Sequence, residues 1–293
     1  MRLSTVILPV ERWPKSREKW RRAEELGFYA AYTYDHLSWR SLADGPWFGA
    51  VPTLTAAALE TSTIRLGTLV ASPNFRHPVP LAKDLLSIDD VSDGRLIIGI
   101  GAGGLGNDAT VLGGDAWTAK ERSERFSEFV ELLDQLLREG STTMPGRYYA
   151  AREARMFPGT IQRPRPPFCI AASGPRGFSL VAHYAQAWVS VGTSRNSDDS
   201  CFDTVSSQLR EMNLVLDAAQ RPTNEVEKVL LDGLSDEKPL ESLDAFVEWA
   251  SRYKELGITE LVVHWPEPAS VFESNMSTFE RIAADGLSQL SPD

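Results

Sequence analysis

Residues 65–106 read RLGTLVASPNFRHPVPLAKDLLSIDDVSDGRLIIGIGAGGLG, and their order decides the fold. An apolar run from Ile64 to Ala71 is broken by Pro73, Asn74, Pro78 and Pro80. Leu81, Leu85 and Ile88 then share one face of a helix, Asp93-Gly94 makes a turn, and Leu96 to Ile100 is a second apolar run rich in isoleucine. Strand, helix and strand in this order form a βαβ unit. Both strands are apolar throughout rather than alternating, as strands of a parallel sheet covered on two faces are. Each empties into a loop of small residues, Ser72-Pro73-Asn74 and Gly101-Ala102-Gly103-Gly104. Chemistry in parallel α/β proteins gathers at that end of the strands.

Outward from this unit the same alternation recurs. Leu3 to Val10 predicts a first strand, Lys15 to Leu26 a helix closed by Gly27, and Phe28 to Tyr34 a second strand running into Asp35-His36. A helix from Pro52 to Glu60 leads into the opening unit. Beyond it, Phe126, Phe129, Val130, Leu133 and Leu137 stripe a helix over 121–138. Residues 140–167, with four prolines between Pro158 and Pro167, predict an irregular excursion over the barrel. Strands are then expected at 168–172, 187–191, 226–231 and 260–264. Helices are expected from Ser173-Gly174-Pro175 to Tyr184, over 197–219, through Leu243 to Tyr253, and over 271–285. One joint repeats, Glu25-Leu26-Gly27-Phe28 and Glu255-Leu256-Gly257-Ile258, each a helix closed by glycine before a strand. An open dinucleotide-binding sheet predicts G-x-G-x-x-G after the first strand, where this chain has Pro9-Val10-Glu11. Eight strands alternating with helices, without a linker of domain-boundary type, predict one domain over 1–293, a closed (β/α)8 TIM barrel.

The 293 residues are 42% hydrophobic, enough for one large core, and carry a net charge of −10. That balance argues against a general nucleic-acid or anionic-membrane surface, which needs clustered Lys and Arg, so the expected partner is a small-molecule substrate. Cys169 and Cys201 make neither a disulfide framework nor a metal site, and no metal is expected. Residues 1–10 read as a strand rather than a signal peptide, and no run approaches about 20 apolar residues. A cytoplasmic location is the expectation. Asp35-His36 is the sharpest catalytic candidate on residue chemistry: it ends the second strand, and an imidazole with a pKa near ~6.5 exchanges protons at neutral pH. A neighbouring carboxylate would raise that pKa.

An ordered set of short motifs carries a family resemblance. It comprises Glu24-Glu25-Leu26-Gly27-Phe28, Tyr34-Asp35-His36, Arg65-Leu66-Gly67-Thr68, Ser72-Pro73-Asn74-Phe75-Arg76-His77-Pro78, Asp93-Gly94-Arg95 and Gly99-Ile100-Gly101-Ala102-Gly103. Gly146-Arg147-Tyr148-Tyr149 and Ile170-Ala171-Ala172-Ser173-Gly174-Pro175-Arg176 complete it. The chain resembles the luciferase-like monooxygenase superfamily, which includes bacterial luciferase and the deazaflavin (coenzyme F420) oxidoreductases. The resemblance implies a flavin or deazaflavin ring in the barrel mouth, against a bulge in the third strand. A non-proline cis peptide would fall at Leu69-Val70, and Ser72 would adjoin it. It further implies that Ala102, Gly103 and Asn107 pass along the cofactor, and that Ala172, Ser173, Gly174, Pro175 and Arg176 hold its phosphate with free amides and a helix dipole. Asp35 and His36 would contact the ring and manage the proton. Glu11, Trp39, Trp47, His264 and Trp265 would face the substrate. Members usually form homodimers through helices near the start of the barrel, and Leu81, Leu85, Leu86 and Ile88 offer a candidate patch.

One departure is informative. Sugar-phosphate dehydrogenases of the deazaflavin branch resemble Gly-Thr-Gly-Glu after the fourth strand, with the glutamate as proton donor, and this chain has Gly104 there. The chain is also shorter than typical FMN monooxygenases. The expected function is therefore a coenzyme F420H2-dependent oxidoreductase that moves a hydride to a C=C or C=N bond, with His36 placing the proton. One alternative is an FMN-dependent monooxygenase using FMNH2 and O2. A second is a non-catalytic barrel that binds a flavin-like ligand.

Overall fold

A computed structural model of the chain describes residues 1–192, 199–233 and 237–290. Strands β1 (Arg2–Val6), β2 (Ala30–Thr33), β3 (Arg65–Ala71) and β4 (Leu96–Gly101) alternate with helices α1 (Trp13–Glu25), α2 (Ala50–Glu60) and α3 (Pro78–Val91). Helix α4 (Ala119–Arg138) is followed by β5 (Ser141–Met144) and β6 (Ala151–Arg155), then β7 (Phe168–Ala171) and α5 (Pro175–Tyr184). The chain continues through β8 (Ala187–Ser190), α6 (Cys201–Ala218), β9 (Glu227–Leu231), α7 (Leu243–Glu255), β10 (Glu260–His264) and α8 (Met276–Arg281). Among the described residues, eight parallel strands close into a barrel in the order β1-β10-β9-β8-β7-β4-β3-β2. The predicted (β/α)8 TIM barrel is the architecture found.

Period-two alternation divides the strand residues between two cores. On β10, Leu261 and Val263 join the layer between strands and helices, while Val262 belongs to the cluster inside the barrel. The helices supply the outer layer from one face. In α4, Phe129, Val130 and Leu133 are fully buried, each worth roughly 1.5–3 kcal/mol in area removed from water. A capping box between Thr118 and Glu121 fixes where α4 starts. The repeated joint behaves as its glycines require: Gly27 (φ +78°) and Gly257 (φ +95°) take the left-handed conformation that ends α1 and α7. Other shared motif residues brace the framework. The Glu24 carboxylate accepts from the main-chain N–H groups of Ser62, Thr63 and Ile64, and Arg95 donates to the carbonyls of Ala58, Thr61 and Ile64.

Three expectations change. Residues 140–167 hold an antiparallel hairpin, β5 with β6, rather than irregular chain over the barrel. It climbs the outer wall beside α4, where Glu128 accepts from Arg147 N and Tyr148 N, and Tyr149 packs on Phe129 and His77. The descending chain then reaches the opposite end, where Gln162 donates to Asp89 and to the Leu96 carbonyl. The last helix starts at Met276 rather than Val271, because Asn275 caps it by accepting from Thr278 N. Leu81, Leu85, Leu86 and Ile88, offered as a homodimer patch, are buried within this one chain. Residues 197 and 198, expected to open the sixth helix, lie outside the described residues.

Candidate active site

Strand β3 breaks register with β4 between Thr68 and Ala71, and the Leu69-Val70 peptide there is cis. Leu69 and Val70 line a cavity of about 190 Å³ at the carboxyl ends of the strands, together with Tyr34, His36, Trp39 and Phe272. A larger cavity of about 630 Å³ lies alongside, lined by Ala102, Gly103, Ala171, the 172–177 loop and the cations Lys120, Arg122 and Arg176. Gly101 lies between the two. A Cβ there would stand 2.7 Å from Val70 Cγ2 and 3.4 Å from Ala171 Cβ, so only a bare Cα fits between the two linings. Gly174 precedes α5 and Pro175 opens it, leaving main-chain amides of the first turn toward the larger cavity. The smaller cavity has the apolar, bulged floor that suits a planar ring, and the larger has the cations beside a helix start that suit a phosphate.

The catalytic pair expected from sequence is not the pair the structure forms. Parity along β2 sends Tyr34 and His36 inward and Asp35 outward. Asp35, 2% exposed, accepts two hydrogen bonds from Arg76, from Nε at 2.9 Å and from Nη2 at 2.7 Å. Burial works to lower the Arg76 pKa, but the Asp35 contact outweighs it and the net shift is upward. The carboxylate on His36 is instead Asp108, with Nδ1 to Oδ2 at 2.5 Å. Asp108 is 4% exposed, and its Oδ1 also accepts from Leu37 N at 2.9 Å. A carboxylate acceptor requires the proton on His36 Nδ1, which leaves Nε2 as the nitrogen available to a ligand. Trp47 Nε1 donates to the His36 carbonyl at 2.8 Å, so Trp47 steadies the histidine's main chain.

An aromatic wall completes the mouth. Tyr34 Oη lies 2.7 Å from His264 Nε2, and His264 stacks on Phe272 with centroids 3.8 Å apart. Trp39 packs against both Tyr34 and Phe272. Burial lowers the His264 pKa to about 3, offset in part by a hydrogen bond to the Asp232 main chain, so the ring is neutral at physiological pH. Burial pushes the Tyr34 phenol up.

Four expected residues stand elsewhere. Glu11 pairs with Lys15 and Lys19 beside α1, and these contacts lower its pKa although burial acts to raise it. Trp265 follows His264, so parity turns it outward onto Phe279. Ser72 is buried and its carbonyl accepts from Arg76 N. Asn107 donates to Ser38 Oγ at 3.0 Å, bracing the loop rather than lining either cavity. Sequence reasoning missed Asp108, Phe272 and the inward role of Tyr34; only Tyr34 had a readable signal, its parity on β2.

Comparison with known proteins bears on the family and the fold. The family described as luciferase-like monooxygenase matches residues 3–224. An F420-dependent glucose-6-phosphate dehydrogenase from Microbacterium testaceum is 25% identical, over 83% of this chain and 85% of its own. One from Intrasporangium calvum is 37% identical over 56% of this chain, and that match spans about half, 48%, of the relative. The coenzyme F420-dependent tetrahydromethanopterin reductase of Methanopyrus kandleri superposes over 99% of both chains with a TM-score of 0.78. At 18% identity that likeness is one of fold.

Proposed function

The chain belongs to the luciferase-like monooxygenase family, and from that premise we propose that it is a coenzyme F420-dependent oxidoreductase acting on a C=C or C=N bond of a small molecule. The observation that carries the reading is the Asp108–His36 contact beside a cavity floored by Leu69 and Val70. The two F420-dependent relatives favour the deazaflavin over FMN. Bound there, a reduced deazaflavin supplies a hydride. The chain's own residues do the rest. Leu69 and Val70 would back the deazaflavin ring, and residues 172–176 with Arg176 would hold its phosphate. Asp108 keeps the proton on His36 Nδ1, so that protonated His36 delivers a proton from Nε2 and then remains as the neutral tautomer. Trp39, Phe272 and Leu231 exclude water from the transfer.

The relatives are named for glucose-6-phosphate, yet Gly104 stands where the resemblance expects their glutamate. With no carboxylate at that position, proton handling falls to His36 with Asp108, and the missing glutamate is what argues against a sugar phosphate as substrate. Titration with coenzyme F420 and with FMN in parallel, followed by their visible absorbance, tests the cofactor. Saturable F420 binding and F420H2 oxidation by an acceptor are expected, with His36→Ala retaining binding and losing turnover. Tight FMN binding without affinity for F420, with oxygen consumed on turnover, would replace this reading with the FMN monooxygenase.

A further inference from the structure

The protons along Asp232, His264 and Tyr34 can be assigned one by one. His264 is 3% exposed, closing β10 inside the barrel. The Asp232 main-chain N–H already donates to the Val262 carbonyl at 2.8 Å, so the hydrogen bond between the His264 ring and the Asp232 main chain runs from the ring to the carbonyl. That bond uses Nδ1, because Nε2 faces Tyr34 Oη at 2.7 Å. The ring is neutral, so Nε2 carries no proton and can only accept. The proton between the two residues therefore belongs to the Tyr34 hydroxyl, and burial, by raising the phenol's pKa, keeps it there. The oxygen then has only lone pairs to offer a further partner, and Tyr34 lines the cavity together with His36 and Leu69.

We propose that Tyr34 is a specificity-determining residue that accepts a hydrogen bond, so that the site selects small molecules bearing an N–H or O–H group close to the carbon that exchanges hydride. Tyr34 and His36 have ring centroids 5.9 Å apart in an edge-on arrangement, so one bound molecule spans both. Tyr34 reads the donor while His36 serves the neighbouring atom. The hydroxyl does not act as an acid, because its proton points to a base too weak to take it. The proposal rests on reading the cavity as the substrate subsite, and its test is a binding measurement that needs neither cofactor nor turnover.

Indole and benzofuran are near-isosteric probes that differ in an N–H donor against an ether oxygen. Their affinities for the full chain are measured by ligand-observed NMR competition, with and without F420. Wild type is expected to favour indole by about five- to tenfold, the return of one net hydrogen bond in a desolvated site. Tyr34→Phe removes that preference. His264→Leu frees the Tyr34 proton to donate, so the preference shrinks below about twofold or reverses. Equal binding of the two probes to wild type overturns the proposal. So does a preference that survives Tyr34→Phe or is untouched by His264→Leu. Failure of both probes to bind removes the subsite itself. Should F420 fail to bind while the indole preference follows these variants, the oxidoreductase reading falls and the assignment of Tyr34 stands.

Discussion

Replacing Asp108 separates holding a histidine from merely filling space near it. The carboxylate is 4% exposed and accepts from two donors, His36 Nδ1 at 2.5 Å and Leu37 N at 2.9 Å. Asp108→Ala strands both. At ~1–3 kcal/mol for each unsatisfied buried donor, with His36 discounted because its side chain is one-third exposed, the fold should lose roughly 2–4 kcal/mol. In a chain of 293 residues, whose unfolding entropy is ~0.6 kcal/mol/K, that lowers Tm by about 3–7 °C. Asp108→Asn behaves differently. Its carbonyl oxygen can still accept from Leu37 N, whose hydrogen has no other orientation, which turns the amide NH2 toward His36 Nδ1. An NH2 donor demands a bare Nδ1, so the proton moves to Nε2. Stability should stay within about 1 kcal/mol of wild type, while turnover falls about 100-fold or more, the usual weight of a placed general acid. Long-range 1H–15N correlation of the imidazole reads the tautomer directly, without a substrate. Nδ1–H in wild type and Nε2–H in Asp108→Asn are expected. A wild-type imidazole protonated on Nε2 alone, or one tautomer throughout, would refute the reasoning.

Three further outcomes follow from the geometry. Arg76→Met leaves the Asp35 carboxylate buried without its partner, which should cost about 3–5 kcal/mol, and Asp35→Leu added to it should recover most of that; a single variant as stable as wild type in urea unfolding contradicts the pairing. His264 has a folded pKa of about 3, below its unfolded value of about 6.5, so the unfolded chain takes up the proton first and stability is lost as pH falls from about 6.5 toward 3, by at most ~1.4 kcal/mol per unit. His264→Gln should lose less between pH 7 and pH 5 than wild type, and equal losses argue against a buried neutral ring. Gly101→Ala puts a Cβ 2.7 Å from Val70 Cγ2, and F420 affinity should fall about tenfold with the barrel intact by circular dichroism; unchanged affinity means that Val70 is free to move aside.

The barrel was legible because its strands are apolar runs and its helices carry one-sided stripes, signals that survive in a single sequence. The β5–β6 hairpin was not, since Ser141–Met144 and Ala151–Arg155 are largely polar and half exposed, with no apolar run to announce a strand. The start of the last helix was misread for a related reason. Phe272, inside the span expected to be helical, instead stacks on His264 in the mouth. Ala102, Gly103 and residues 172–176, which the family resemblance places along a cofactor, do line one cavity together, because small residues and a helix start expose main chain wherever the loop carries them.

Proton chemistry depends instead on which side chains meet across loops, and here local reading misled. Adjacent Asp35 and His36 look like a pair, but neighbours on a strand point to opposite faces, so period two by itself separates them. The partner that replaces Asp35 lies 72 residues away on the 3-10 turn Asn107–Ala109, brought there by the pairing of β2 with β3 and of β3 with β4. The glutamate missing at Gly104 therefore does not leave its loop without an acid. Four residues further on, the loop returns across the mouth, and Asp108 binds both Leu37 N and the His36 ring. The acid of this loop thus stands at Asp108, four residues past Gly104, where it serves the His36 ring and the Leu37 main chain rather than lining either cavity.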